Sequence, residues 1–290
     1  MRKLRIAIVV FFLAVLAIFV ATEVRDQMTA DSSAPVITAD TDAITVSVAS
    51  EEEDLLAGMR ATDNLDGDVT DTLVVVSKSK FVTKGTLRAN YAAFDNNNNV
   101  GLYTRDVTYY DYVSPRYSIS QPLRFLSGNS DNDYLQYVTV EDCLDGNISQ
   151  QVRITLGDTS VLGGEVSRRD ANLMVSNSAG DNAVLRLSIL LETPTTYNLR
   201  APALTDYVMY IKAGTRPNLR EGLCGVWSGG RVTSFENTTF DPDTDVSIDD
   251  SGVNYSVPGV YTVIYRLSQE DRYGVRSDLG TNSLTLVVEE

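Results

Sequence analysis

Apolar and polar residues alternate along most of the chain beyond residue 33. The runs "AITVSV" (43–48), "TLVVVS" (72–77), "LRANYAAF" (87–94) and, in part, "RDVTYYDY" (105–112) carry a period of two. So do "VYTVIYRL" (260–267) and "NSLTLVVEE" (282–290). Val, Ile, Thr and Tyr dominate these runs, which is the composition of half-buried strands. Between them lie turn signals: "DG", "NNNN", "SAGDN", "SGG" and "DDSG". No stretch in this part keeps a helical period over ten residues. The pattern therefore predicts short strands separated by tight turns.

The strands come in repeats. Asp63, Leu65, Asp66 and Gly67 recur 79 residues later as Asp142, Leu144, Asp145 and Gly146. "APVIT" (34–38) corresponds to "SPRYS" (114–118). A more divergent third copy is visible near the end. "KGTLRANYAAFD" (84–95) matches "PGVYTVIYRLSQ" (258–269), placing Gly85 over Gly259 and Tyr91 over Tyr265, and "DLLAGMRA" (54–61) matches "NLREGLCG" (218–225). A period near 80 is too long for a solenoid and suits a chain of small domains. The expected boundaries are 34–112, 113–192 and 193–290, with Pro194 and Pro202 punctuating the last junction. Several short strands in each such length make a small sandwich. The fold class expected is all-β, three tandem sandwiches.

One segment breaks the pattern. Ile6–Thr22 is an uncharged apolar run preceded by Arg2, Lys3 and Arg5. As a helix it reaches roughly 26 Å, enough for a thin bilayer core. The basic flank places the N-terminus in the cytoplasm and the remainder outside. A cleaved signal peptide is the competing reading, but Phe19 stands at the outer small position of the candidate cleavage end "FVA". Residues 1–22 are thus expected to be a cytoplasmic stub and transmembrane signal-anchor, and 23–33 a short linker.

The formal charge is −15, from 39 acidic and 24 basic residues. Setting aside the three basic residues before the apolar run leaves −18 for the rest. No clustered cation face is available for phosphate, so nucleic acid is excluded as a partner. The chain has no histidine, which removes Ser-His-Asp and Cys-His nucleophiles and the commonest zinc ligand. Cys143 and Cys224 fall in different repeats, so no module carries an internal disulfide. They are read as buried, reduced thiols, with a bridge between the second and third modules as the alternative.

The candidate chemistry lies in "DNLDGD" (63–68) and "DCLDGN" (142–147). Asp-Gly suits a turn with positive φ at glycine, and Asp side chains accept hydrogen bonds from backbone N–H groups two residues on. The same Asp63, Asp66, Asp68, Asp142 and Asp145 offer hard oxygen ligands for calcium, though the spacing is not that of an EF-hand. A pair of catalytic carboxylates is the third reading, but it requires a cleft. The third repeat favours the turn: Gly229 and Gly230 keep it, while Arg231 stands roughly where Asp68 would.

"ATDNLDGDVTDTL" followed by "KGTLRANYAAFDNNNNVGLYTRDVTY" resembles the Ig-like domain family of bacterial surface proteins. Ala61, Asp63, Asp66, Gly67, Asp68, Val69 and Thr70 fit that family's acidic turn. Gly85, Tyr91, Ala93, Asp95 and Asn96 fit its second motif. Asn98 stands where the family carries glycine, and Leu87 replaces a tyrosine. The second repeat has Asn147 for the last acid and Ser176-Asn177 for the aspartate. The third keeps "PGVYTVIY" without the acidic turn. The resemblance implies Ig-like sandwiches displayed on a cell surface as stalk, spacer or adhesive module, with no catalytic residues.

The expected function is accordingly non-enzymatic: a cell-membrane protein presenting Ig-like modules to an envelope protein or polysaccharide. No cofactor is required, calcium being the one candidate. A carbohydrate-binding stalk is the alternative, with Trp227 on the "SGG" loop and Tyr110 as stacking platforms. Alternation puts Tyr109 with Val107 on the inner face and Tyr110 outside. Tyr109, Tyr110 and Tyr112 together fit interdomain packing.

Overall fold

The computed structural model describes residues 2–29, 32–129, 133–163 and 166–290. It opens with a single long helix, α1 (Arg2–Thr29). The window Ile8–Arg25 has a mean hydropathy of 2.4 and none of it is buried. An apolar surface of this length exposed on all sides satisfies the length and composition for crossing a bilayer; a signal sequence satisfies them too. The helix continues past Thr22 to Thr29, so most of the segment read as a linker is helical, since its Glu23, Arg25, Gln27 and Met28 are good helix formers. Residues 30 and 31 of that segment lie outside the described residues.

The remainder is β, and the same topology occurs three times. The first module holds β1 (Val36–Ala39), β2 (Ala43–Val46), β3 (Met59–Asp63), β4 (Gly67–Asp68), β5 (Val74–Lys78), β6 (Thr86–Phe94) and β7 (Val100–Tyr109). They form two sheets, ordered β1-β3-β4 and β2-β7-β6-β5. The second group is β8 (Arg116–Ile119), β9 (Arg124–Leu126), β10 (Val138–Asp142), β11 (Gly146–Asn147), β12 (Arg153–Gly163), β13 (Val166–Ser176) and β14 (Asn182–Glu192). Its sheets are β8-β10-β11 and β9-β14-β13-β12. After the short helix α2 (Pro194–Tyr197) come β15 (Ala201–Leu204), β16 (Val208–Lys212), β17 (Leu223–Ser228), β18 (Arg231–Ser234), β19 (Val246–Asp249), β20 (Gly259–Glu270) and β21 (Arg276–Glu289). Again the sheets are β15-β17-β18 and β16-β21-β20-β19. In each group the second strand is an edge strand that pairs parallel to the last, and the remaining pairs of that sheet are antiparallel. The protein is thus all-β, a series of small Ig-like sandwiches after one apolar helix.

Alternation builds each core. On β6, Leu87, Ala89, Tyr91 and Ala93 point inward and are buried, while Arg88, Asn90 and Phe94 face out. The Tyr91 hydroxyl donates to the Leu55 carbonyl at 3.1 Å, and the Tyr265 hydroxyl makes the equivalent bond to Leu219 at 2.8 Å. A buried hydroxyl needs such a partner, and in both modules the chain supplies it from the same loop. Arg105 departs from the pattern. It points inward opposite Ala89, where the second module pairs Ala171 with Leu187. Its guanidinium donates to the carbonyls of Leu55 and Ala57 and lies over the Tyr91 ring.

The chain forms two compact units, residues 1–112 and 113–290. In the second unit one hydrophobic cluster runs from Tyr117, Ile119 and Val140 to Leu204, Tyr207 and Val263. Backbone groups close this junction: Tyr207 N–H donates to the Ile119 carbonyl at 2.9 Å, and Ile119 N–H to the Asp206 carboxylate at 2.8 Å. A buried network lies beside it. Arg124 meets Glu192 through two bonds of 2.8 and 2.9 Å, donates to the Asn282 side chain at 3.2 Å, and stacks 4.4 Å over Trp227.

Candidate functional site

The acidic turns are built by hydrogen bonds to their own backbone. In the first module β3 ends at Asp63, whose Oδ1 accepts the N–H groups of Leu65 and Asp66 at 2.8 and 3.0 Å. Gly67, at φ 76°, reverses the chain with no steric cost and pairs back across to Asp63. Asp68 accepts the Thr70 N–H at 3.0 Å. Hydrogen bonds from the Thr70 hydroxyl and backbone hold the Asp68 carboxyl below its ordinary range.

A second turn, between β6 and β7, docks on the first. Asp95 accepts the N–H groups of Asn97 and Asn99 at 2.9 and 2.7 Å and the Asn99 amide at 2.6 Å. Asp66 reaches across to take the Asn96 backbone N–H at 2.9 Å and its side-chain amide at 2.6 Å. The result brings carboxylate oxygens of Asp63, Asp66 and Asp95 within 4.8 Å of one another. Asp68 is not part of this cluster. Asp95 is, and the sequence alone did not place it there, because the two turns are 30 residues apart and meet only in the fold.

The second module repeats the construction with amides in place of two acids, Asn147 for Asp68 and Asn177 for Asp95. Asp142 Oδ1 accepts the N–H groups of Leu144 and Asp145, as Asp63 does in its own turn. Asp145 accepts the Ser178 N–H and hydroxyl, both at 2.6 Å. Where Asp95 stands in the first module, Asn177 donates its amide to Asp142 at 3.1 Å. The second site therefore pairs an amide with two carboxylates. Among the described residues only the first module assembles three acids.

The third module keeps the hairpin without the acids. β17 and β18 pair around Gly229 and Gly230, both at positive φ, with Ser228 opposite Arg231. The second turn persists too: Asp271 accepts the N–H groups of Tyr273 and Val275 at 2.8 and 2.9 Å. In all three modules this turn has a residue at positive φ, Gly180 and Gly274 in two of them and Asn98 in the first. Asn98, where the family pattern carries glycine, adopts φ 65°, a conformation asparagine tolerates better than most residues.

The aromatic candidates divide. Trp227 is 1 % exposed, sandwiched between the Arg124 guanidinium and the edge of Tyr197. It presents no free face for a sugar, because β17 turns it into the junction rather than onto the loop surface. Tyr110 is 70 % exposed, beside an inward Tyr109 and a fully buried Val107. Tyr112 packs edge-on against Phe81 at 4.7 Å within its own module. Cys143 is exposed rather than buried, because it lies on the turn after β10, and its thiol donates to the Val113 carbonyl at 3.1 Å; Cys224 is half-buried, and no disulfide joins the two.

No protein-family model and no curated protein matches the chain. Among solved structures, it is similar to a Clostridium perfringens ZmpB fragment containing CBM51-2 in complex with GlcNAc and INT domains, at 17% identity over 52% of this chain, with a TM-score of 0.22. The chain spans about a quarter of that structure (26%). It is similar also to human CDH23 EC21-23, at 15% identity over 88% of this chain and 100% of the other, with a TM-score of 0.21. The protocadherin GammaB4 extracellular domain aligns at 11% identity over 89% of this chain and 49% of the other, with a TM-score of 0.21. At TM-scores near 0.2 these likenesses carry no argument about what the chain does.

Proposed function

We propose that the chain is a single-pass membrane protein that displays Ig-like modules outside the membrane as a non-enzymatic structural and interaction element. In this reading residues 34–112, 113–192 and 193–290 are the three modules, and α1 is the anchor, with its basic end in the cytoplasm. The observation that carries the reading is the pairing of a fully exposed apolar helix with sandwiches whose conspicuous acids already serve as turn locks. The uncovered apolar surface of Ile8–Arg25 supports the reading, because lipid is the environment that suits it best. Carboxylates that hold two hairpin turns together explain themselves without catalysis.

Fractionation tests the anchor. The account expects the chain to stay with membranes through an alkaline carbonate wash, to be released by detergent, and to retain its full mass of 31.8 kDa. Recovery as a soluble species shortened by the apolar run would overturn it and establish a cleaved leader. The partners in this reading are an envelope protein or polysaccharide.

A further inference from the structure

The outward faces of β13–β14 and of β20–β21 line one open cleft of about 1160 Å³ within the C-terminal unit. Each wall is a set of cross-strand pairs. On the first, Asn172 lies opposite Arg186 and Asp170 opposite Ser188; on the second, Thr262 lies opposite Thr285 and Ile264 opposite Ser283. Successive rows along a strand face are about 7 Å apart, so the cleft repeats its polar groups along its length. Its walls are tied together by the Arg124 network and by the Ile119–Tyr207 backbone bond, so a ligand would not have to bring them together.

The charges in the cleft do not cancel. Arg124 is matched by Glu192, and Arg168 lies 3.4 Å from Asp170. Arg186 is exposed and has no carboxylate within 4.0 Å among the described residues. An unmatched guanidinium in a chain of net charge −15 is a local inversion of sign. Guanidinium binds carboxylate through two parallel hydrogen bonds, which gives direction as well as charge.

The backbone decides what kind of chain fits. The walls are sheet faces, not edges. An extended peptide laid between them would find no ladder for its own N–H and C=O groups. A polysaccharide carries hydroxyls around its whole circumference, and these match hydroxyl and amide side chains such as Thr262, Thr285, Ser283 and Asn172. We infer that the cleft binds an acidic polysaccharide, with the Arg186 guanidinium taking a sugar carboxylate. This deepens the surface-display reading and depends on it only for where the chain would meet such a polymer.

The test uses the purified full chain in detergent micelles, so its outcome does not depend on membrane topology. Calorimetric titration compares polygalacturonate with dextran. The inference expects polygalacturonate to bind, more weakly as salt rises, and dextran not to bind. Arg186→Ala is expected to weaken binding at least 10-fold and Arg186→Lys by less, since lysine keeps the charge and loses the fork. Arg186 lies on an exposed face, and an unchanged melting curve of each variant verifies the fold. No binding of polygalacturonate, equal binding of dextran, or an unaffected Arg186→Ala variant would each overturn the inference. None of these results bears on whether the chain is displayed at a surface.

Discussion

Removing Arg124 leaves Glu192 as a buried, uncompensated carboxylate. The two side chains are only 5% and 4% exposed, and their paired bonds measure 2.8 and 2.9 Å. Breaking a buried pair by deleting one partner typically costs about 3–5 kcal/mol. The guanidinium also lies 4.4 Å over Trp227 and donates to Asn282, so Arg124→Met belongs in the upper half of that range. For a unit of this size each kcal/mol lowers Tm by about 2–4 °C, so a loss of about 4 kcal/mol corresponds to roughly 8–16 °C. Trp227 is the sole tryptophan of the chain and sits in the network, so its fluorescence reports this junction without a label. Urea titrations followed by that signal give the change directly. Replacing both partners, Arg124→Met with Glu192→Leu, removes the stranded charge and is expected to recover at least half of the loss. A single variant costing under about 1 kcal/mol, or a double variant as unstable as the single one, would refute the reasoning.

Three further outcomes follow from the turns and cores. Asn98→Ala places a Cβ-bearing residue without a local polar group at φ 65° and should cost about 1 kcal/mol, whereas Asn98→Gly should be neutral within about 0.5 kcal/mol, both read from urea midpoints. Burial pushes the hydroxyls of Tyr210 and Tyr265 up to about 12, so each binds its proton more tightly in the fold than in the unfolded chain. Stability should therefore hold below pH ~10 and fall as pH rises from there towards about 12, by at most ~1.4 kcal/mol per pH unit for each tyrosine, and Tyr265→Phe should flatten that fall. Calcium should leave the melting temperature unchanged if Asp63, Asp66 and Asp95 serve as turn locks; a rise that is lost in Asp66→Ala would make them a metal site.

Much of the architecture was legible because it is local. Alternation at Leu87, Ala89, Tyr91 and Ala93 is enough to assign β6 and its inner face, and the match of Tyr91 with Tyr265 holds down to the carbonyl each hydroxyl reaches. The Asp-Gly turns were legible for the same reason: their hydrogen bonds span two or three residues. What escaped is non-local. Asp95 joins Asp63 and Asp66 only when two hairpin ends meet. Trp227 looked like a loop residue beside "SGG", yet its burial depends on Arg124, a hundred residues earlier in the chain. The cleft of the C-terminal unit arises from two outward faces, and outward positions carry no hydrophobic signal that would pair them in advance.

The most direct test of the display reading is the side of the membrane on which the modules lie. Cys143 lies exposed on the turn after β10, and replacing the half-buried Cys224 with serine leaves it as the single cysteine of the chain. Intact cells expressing that variant are treated with a membrane-impermeant maleimide. The account expects Cys143 to be labelled in intact cells to the same extent as after lysis. Labelling that appears only after lysis would contradict it, because the modules would then face the cytoplasm.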